Sequence, residues 1–305
     1  MAGVMTRSNW PNALREGIGM VLGPDGDTDR AKQEMWRKLF TMKTSKKAVE
    51  EIVQNYGMGV AQRVDEGEDA PLDEGGESWY KAYRMIKVGL SSEMTEETVD
   101  DNVYWDVANK MSASMDNAMM EAKAIFATDI FNSAFGTSTY SVGDGLAFCA
   151  TNHPLGRGGT FSNLLSGTRT DPSETALEDM RIVAYTMKTE EGRYGNFQLK
   201  DLVIPIQLQS TFEKLLNSPL QAFTGDNTKN VNTGMFRSIV VLPHLTSAAA
   251  WFATTNVADG LIHWNRQGRR LRHYLGDRNG NLGTTVTERY QFGVGNIRSI
   301  IGSQG

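Results

Sequence analysis

The sequence predicts an α+β fold, because helical and strand patterns follow one another without the regular alternation of a wound parallel sheet. Three observations carry this prediction: two partly alternating segments around an acidic turn at 57–94, an uninterrupted helical pattern at 95–133, and a strand-rich tail at 260–305. A segment at 145–255 with both kinds of pattern lies between the helix and the tail.

Composition limits the class of protein. The chain has 305 residues, of which 40% are hydrophobic and 22% charged, and this balance is typical of a globular protein. Its net charge of -5 argues against a dedicated nucleic-acid binder, which usually carries a basic surplus. The single cysteine excludes an internal disulfide, and no segment has the roughly 18 successive apolar residues of a membrane span. No signal-peptide pattern opens the sequence, so we expect folding in a cytoplasm.

Residues 1–56 are expected to form an arm with short helices. AKQEMWRKLF and TSKKAVEEIVQN both have apolar residues at helical spacing. The apolar positions are Met35, Leu39 and Phe40 in the first segment, and Ala48, Val49, Ile52 and Val53 in the second. Asp25, Asp27 and Asp29 alternate as in a calcium loop, but Arg30 and Trp36 occupy the positions where an EF-hand needs Gly and Glu. We therefore expect no metal site.

Residues 57–94 have the signature of a long hairpin. One alternating run contains Val60, Arg63 and Val64, and the other contains Tyr80, Ala82, Arg84, Ile86 and Val88. Between Asp65 and Glu77 there are seven acidic residues and no basic one. Such a run is usually a solvated surface, and its alternative role is to meet a basic partner.

The helical pattern at 95–133 starts at Thr95, a plausible N-cap, followed by Glu96 and Glu97 in the first turn. Its apolar stripe is Val99, Val103, Val107, Met111, Met115, Ala118, Ala122, Ile125 and Phe126. The predicted helix is about 55 Å long at 1.5 Å per residue, which exceeds the diameter of a small domain. We expect sheets or neighbouring subunits to lie along it.

The segment at 145–255 has a helix with Asp171 as cap, Pro172 at its first position and Glu174 at its third. DLVIPIQLQ reads as a strand whose Pro205 favours an edge or a bulge, and Ser210 and Glu213 form a possible capping box for the next helix. FRSIVVLP is a second apolar strand.

In the tail, Asn279-Gly280 is a hairpin turn signal. Five arginines gather in and around the first arm of this hairpin: Arg266, Arg269, Arg270, Arg272 and Arg278. Ordinary surface pairing, contact with the acidic hairpin of a neighbouring copy, and contact with nucleic acid all remain open for them.

Catalytic chemistry has weak candidates. Cys149 and His153 are four residues apart, but Pro154 and nearby turn residues deny them a common helical face, and no third orienting group is evident. GRGGT, residues 156–160, lacks the GK[ST] of a phosphate loop. His244, His263 and His273 have no close metal-ligand spacing. We expect that the protein is not an enzyme and has no catalytic residues and no cofactor.

The order of elements, together with DGLAFCATNHPLGRGGTFSNLL, resembles the major capsid proteins of tailed bacteriophages, which have the Hong Kong 97-type fold that encapsulins share. The short phrase resembles one in the Mu-like head-subunit group. It reads Gly145, Leu146, Phe148, His153, Pro154, Ser162, Asn163 and Leu164.

This resemblance implies an N-terminal arm at 1–56, an extended loop at 57–94, a peripheral domain with its spine helix at 95–144, an axial domain at 145–255, and a return to the peripheral sheet at 256–305. It implies a subunit that forms hexamers and pentamers in an icosahedral shell around double-stranded DNA, held by non-specific contact. A portal protein and a decoration protein are further implied partners, and no membrane is involved. Residues 143–167 would then lead from the spine helix into the axial domain, and we call this segment the crossing. Its role would be structural.

The chain departs from the type member in two respects. It has no long charged helical extension at its start, so we expect a separate scaffolding protein. Lys81 and Lys87 lie in the extended loop, but no motif marks a partner asparagine or a catalytic glutamate, so we expect a shell without covalent cross-links.

The expected assembly contact joins the acidic loop of one copy to cations of the next. The candidate residues are Asp65, Glu66, Glu68, Asp69, Lys81, Arg84, Lys87, Arg266, Arg269, Arg270 and Arg272. Alternative readings are an encapsulin-like compartment shell, a phage tail or ring protein, and a hydrolase that uses Cys149.

Overall fold

The computed structural model describes residues 34–97, 104–136, 140, 142–165, 171–218, 229–275 and 280–305, without the side chains of 104–112. The Asp25, Asp27 and Asp29 triplet, Arg278 and Asn279 lie outside the described residues.

In chain order the strands are β1 (Thr41–Thr44), β2 (Val49–Tyr56), β3 (Gly76–Arg84), β4 (Ile86–Met94), β5 (His153–Pro154), β6 (Thr160–Phe161), β7 (Leu199–Ile204), β8 (Ser238–Val241), β9 (Trp251–Thr255), β10 (Leu261–Leu275), β11 (Leu282–Val294) and β12 (Ile300–Ser303). The helices are α1 (Tyr104–Asn132), α2 (Glu174–Thr186) and α3 (Gln209–Asn217). This mixture confirms the α+β prediction.

A first sheet has the strand order β1-β10-β11-β4 and lies against α1. β10 and β11 form the long antiparallel hairpin expected in the tail, and β4 extends it on the other side of β11. β1 pairs with β10 in parallel. Met115 and Met119 of α1 pack on Leu282 and Val286 of β11. The helix therefore covers one face of this sheet.

A second sheet has the order β12-β9-β7-β8. α3 packs on it through contacts such as that between Phe212 and Trp251, whose ring centroids are 5.1 Å apart. The segment 256–305, predicted to return to the first sheet, is divided between the two sheets, because β10 and β11 join the first and β12 joins the second. One continuous apolar core joins the two sheets, with Phe131 of α1 and Phe252 of β9 in contact.

β2 and β3 form a separate two-stranded antiparallel ribbon. Residues 57–75 connect them without regular strands, and we call this segment the tip. The predicted hairpin arm at Val60, Arg63 and Val64 is therefore wrong, since these residues lie in the tip. The arm that pairs with β3 is β2, in the segment predicted to be helical.

The two predicted N-terminal helices are corrected. Met35–Lys38 forms only a single 3-10 turn, and 49–56 is strand β2. β-branched Val49, Ile52 and Val53 suit an extended backbone better than a helix, and the cross-strand partners on β3 decide the outcome.

α1 confirms the long helix, although its described part covers 29 residues, or about 43 Å. Glu96 and Glu97 are also helical, and the predicted stripe residues Val99 and Val103 lie outside the described residues. Met115 of the predicted stripe is buried, but Ala118 and Ile125 are exposed. The buried positions are instead Met119, one residue further on, and Ala127, two residues further on.

Capping differs from the predictions. Ser173, not Asp171, caps α2, and its hydroxyl accepts a hydrogen bond from the amide of Ala176. Ser210 lies inside α3 and forms no capping box, because a 3-10 turn at Ile206–Leu208 leads directly into the helix. β7 ends before Pro205 and lies between β9 and β8, so Pro205 marks neither an edge strand nor a bulge. No helix among the described residues is long and apolar enough to cross a membrane.

Candidate functional site

The face of the first sheet that α1 covers contains a cluster of buried charges. Arg269 of β10 pairs with Asp116 of α1 and with Glu288 of β11, whose carboxylate is 2.9 Å from the arginine Nε. Lys123, two turns along α1 from Asp116, places its Nζ 2.8 Å from the second oxygen of Glu288. We call these four residues the charge cluster.

Arg269 therefore forms its ion pairs within its own subunit. Only 7% of its side chain is exposed, so its predicted role as a surface contact is corrected. The cause is its direction on β10, where successive side chains point to opposite faces of the sheet. Arg269 shares the buried face with Leu271, whereas Arg270 lies on the other face.

The opposite face of the same sheet is open and basic. Residues that pair across strands share a face, and Arg270 pairs with Thr287, Arg272 with Thr285, and Lys87 with Arg289. Arg270, Arg272 and Lys87 are exposed, and Arg289 is half-buried. Described residues cover only the first part of this face, at Ile262 and Trp264, where Tyr83 and Met85 lie. We call the surface of Lys87, Arg270, Arg272 and Arg289 the open face.

The other predicted cations lie apart from the open face. Lys81 and Arg84 lie on opposite faces of the ribbon, because they are three positions apart on β3. Arg266 is half-buried at a register shift between β10 and β11. The structure thus places Arg270, Arg272 and Lys87 together, and it adds Arg289, which the sequence reasoning missed.

The four predicted carboxylates, Asp65, Glu66, Glu68 and Asp69, are all exposed in the tip. Arg63 approaches Asp65 at 3.4 Å, and both side chains are largely exposed. Exposed apolar side chains, including those of Met58, Val60 and Leu72, flank the acidic residues. Between described residues, no ion pair joins the four carboxylates to the open face of the same chain.

Both ends of the tip are bound to the body of the subunit, one through Asp73 of the tip and the other through Glu191 of the body. A side-chain hydrogen bond from Arg157 holds the pKa of Asp73 below its usual range, and the amide of Gly59 adds to this effect. Burial alone would raise the pKa of Glu191, but the amide of Gly57 and the hydroxyl of Thr189 help to lower it to about 2. GRGGT thus contributes Arg157 to a structural contact.

The proposed catalytic pair at 143–167 is buried. Cys149 is 2% exposed, and burial raises the pKa of its thiol well above its usual range. His153 does have an orienting group that the sequence did not reveal: its Nδ1 lies 2.6 Å from Oδ2 of Asp144. The ring also stacks on Phe161. A thiol held protonated in an apolar core is a poor nucleophile, so this arrangement favours packing.

Asn163, from the short SNL phrase, joins the crossing to the end of the chain. Its side chain is fully buried and donates to the carbonyl oxygens of Phe148, Ile297 and Ile300, and it accepts from the amide of Ala150. Every contact is with backbone, so the residue fixes chain geometry. Within the described ranges, no group of His, Cys, Asp and Glu could hold a metal ion.

Several solved structures are similar to this chain over most of its length. The chain is similar to a chain in the solved structure of Mycobacterium phage Patience, with a TM-score of 0.57 and 10% identity, over 99% of this chain and 89% of that chain. It is also similar to the capsid of a native GTA particle (TM-score 0.54, 10% identity, 88% of each chain). The capsid of the cyanophage P-SCSP1u gives a TM-score of 0.54 at 12% identity, with 87% of this chain and 85% of that one covered. These likenesses define the class as the Hong Kong 97-type capsid fold.

A family model described as phage capsid protein matches residues 80–302, more than two thirds of the chain. The chain belongs to this family and is a major capsid protein of a bacteriophage virion. Many copies of it assemble into the shell. This assignment is better supported than the encapsulin-like alternative. No curated protein matches the sequence.

Proposed function

We propose that the subunits build an icosahedral head around double-stranded DNA by laying the acidic tip of one copy on the open face of the next. The observation that carries this proposal is the separation of charge: exposed carboxylates gather in a projecting segment, and exposed cations gather on an uncovered sheet face. Residues 57–75 are exposed almost throughout, which suits contact between copies.

Charge sets the register of this contact and does not supply most of its affinity. Exposed ion pairs contribute about 0 to 1 kcal/mol each. Met58, Val60 and Leu72, which are exposed in the tip, offer the apolar area that burial against a neighbour would remove from water. Individually weak contacts let a misplaced subunit leave, so a closed shell can form without trapped errors.

The same proposal includes the other parts of the assembly. The first sheet with α1 would be the peripheral domain, and the second sheet with α2 and α3 the axial domain at the centre of hexamers and pentamers. A separate scaffolding protein, a portal protein and a decoration protein would be partners, DNA would be held by non-specific contact, and assembly would take place in the host cytoplasm. The buried Cys149 thiol supports a role without enzymatic chemistry.

We also propose that the mature shell has no covalent cross-links between subunits. Lys81 is half-buried on the ribbon and Lys87 lies on the open face, where its nearest cross-strand partner is Arg289. Purified particles should therefore run as a 33.7 kDa chain in denaturing electrophoresis. A ladder of covalent multimers would contradict this part of the proposal.

A charge exchange tests the tip contact. The first variant is Arg270→Glu with Arg272→Glu, the second is Glu66→Lys with Asp69→Lys, and the third combines all four changes. Each pair alone opposes like charges, so we expect few particles, whereas the combined variant restores the attraction and should recover assembly. Sedimentation and negative-stain microscopy measure the particle yield.

Lys38→Glu with Lys214→Glu is the matched control, because it changes the net charge as the first variant does at two other exposed positions. This control should assemble. Normal particles from either of the first two variants, or failure of the combined variant although its thermal unfolding is unchanged, would count against the proposed contact.

A further inference from the structure

The ribbon needs an attachment that fixes its direction. A two-stranded ribbon is at best marginally stable alone in water. β2 ends at Tyr56 and β3 begins at Gly76, so the two ends of the tip meet there. We call this meeting point the neck.

Arg157 spans the neck. Its Nε donates to the carbonyl oxygen of Gly57 at 3.1 Å, and its Nη2 donates to Oδ1 of Asp73 at 2.5 Å and to the carbonyl oxygen of Glu74 at 2.6 Å. The guanidinium also lies over the ring of Tyr56, 5.8 Å from its centroid. One side chain therefore holds both ends of the tip.

Asp73 completes the closure from the other side. Its Oδ2 accepts from the amide of Gly59 at 2.7 Å while its Oδ1 accepts from Arg157. The carboxylate thus ties the first residues of the tip to the last. A planar guanidinium can serve several acceptors in fixed directions, and a lysine ammonium cannot reproduce this arrangement.

Space at the neck requires glycine. A Cβ on Gly156 would lie 2.4 Å from Cδ1 of Tyr56, and a Cβ on Gly76 would lie 2.5 Å from the Tyr56 hydroxyl. Any larger residue beside Arg157 would displace the ring that the guanidinium covers. The Gly-Arg pair of GRGGT is explained by this close approach.

Two carboxylates attach the neck to the body. Glu190 is buried, pairs with Arg298 at 2.8 Å, and accepts hydrogen bonds from the Gly156 amide and the Ser78 hydroxyl. Glu191 accepts from the amide of Gly57 at 3.0 Å. Arg157 therefore acts on a ribbon whose base is already attached to a rigid support.

We propose that Arg157 is the positioning residue that closes the neck and fixes the direction in which the tip leaves the subunit. The inference rests on the proposed function, because a fixed direction matters only if the tip must meet a neighbouring copy. Without Arg157, the ribbon strands stay paired but the ends of the tip separate.

The test compares Arg157→Ala and Arg157→Lys with the native chain in two measurements. Amide hydrogen exchange on the unassembled subunit reports the neck directly. We expect the amide of Gly59, bound to Asp73, to exchange about tenfold faster in both variants, while the amide of Gly57, bound to Glu191, stays protected. Particle yield reports assembly, and we expect it to fall strongly. Arg181→Ala is the control, since it removes the same charge from a part-exposed side chain on α2, away from the tip, whose partner is Glu178, and it should change neither measurement.

Unchanged exchange at Gly59 overturns the inference, whatever the particle yield. Faster exchange with normal particles also overturns it, because assembly would then not need a closed neck. Exchange is measured before any contact between copies forms, so failure of this inference is distinguishable from failure of the tip contact, which the charge exchange at Arg270 and Arg272 tests separately.

Discussion

The two faces of the first sheet use the same kinds of residue for opposite purposes. Arg269 is enclosed under α1 by Asp116 and Glu288. Its neighbour Arg270 points to the uncovered side and is exposed. The comparison teaches that, in this hairpin, side-chain direction decides whether an arginine serves the fold of the subunit or is available to another copy.

The physical difference lies in solvation. A buried ion whose partner is removed remains desolvated and uncompensated, so breaking a buried pair is costly even though the intact pair adds little net stability. An exposed ion returns to water at almost no cost. Stability measurements on adjacent residues should therefore separate the two faces, and three predictions follow from the strongest effect to the weakest.

Arg269→Met should give the largest loss. The change leaves Asp116 without its cation and Glu288 with only Lys123, so we expect the free energy of unfolding to fall by about 3–5 kcal/mol. Denaturant unfolding of the unassembled subunit measures it. Arg270→Met is the matched control and should stay within about 0.5 kcal/mol of the native chain. Equal losses in the two variants would break the comparison between the faces.

Acid should weaken the α1 side through His263, which is packed among Trp36, Tyr290 and Phe292. Burial, with Lys123 and Arg37 nearby, lowers its pKa from 6.5 to about 3. The unfolded chain therefore binds a proton first, and stability falls as the pH drops below 6.5. At pH 4.5 the expected loss is about 2–3 kcal/mol relative to pH 7.

The matched variant for this pH dependence is His263→Phe, which keeps an aromatic ring and removes the titrating group. Burial raises the pKa of Glu34, and that shift acts in the opposite direction, so the difference between variant and native chain at each pH is the informative quantity. Parallel stability curves for the two chains between pH 7 and 4.5 would contradict the assignment to His263.

Exchanging valine and threonine, which have similar shapes, should give the smallest loss of stability. Val286 is fully buried under α1, and the next residue, Thr287, lies on the open face. Val286→Thr buries a hydroxyl without a partner and should cost about 1–3 kcal/mol. Thr287→Val should change stability by less than about 0.5 kcal/mol. Thermal unfolding measures both, and a costly Thr287→Val would mean that the open face is covered within the subunit.

Part of this two-sided sheet could be predicted from sequence. The alternation of Arg270, Arg272 and Tyr274 with Leu271 and Leu275 is a strand pattern with a basic face and an apolar face. Applied to Arg269, the same alternation places it with Leu271 on the apolar side. The signal that separates Arg269 from the surface arginines was therefore present. Of its two buried acidic partners, Glu288 lies on the other arm of the same hairpin, but Asp116 comes from a distant part of the chain.

The N-terminal error has a different cause. Ala48, Val49, Ile52 and Val53 fit a helical stripe, yet the segment is strand β2. A run of eight residues satisfies both periods, and pairing with β3 decides between them. The apolar pattern of α1 is long enough to predict a helix. It does not determine which side of the helix is buried, because adjacent apolar residues such as Met119 and Met120 fit two different stripes.

The neck was beyond sequence reasoning. Arg157 and Asp73 are 84 positions apart, and neither lies in a pattern that marks a partner. GRGGT carried a signal only for close backbone approach, which the space around Tyr56 now explains. Likewise, Asp144 beside His153 became evident only when the turns of the crossing brought the two side chains to 2.6 Å.

The parallel pairing of β1 with β10 has a consequence for synthesis. Thr41 pairs with Ile262, and Met94 of β4 pairs with Leu282, so strands made early wait for strands that leave the ribosome much later. Such distant pairings are slow to form. The open face therefore forms only after β10 and β11 have left the ribosome.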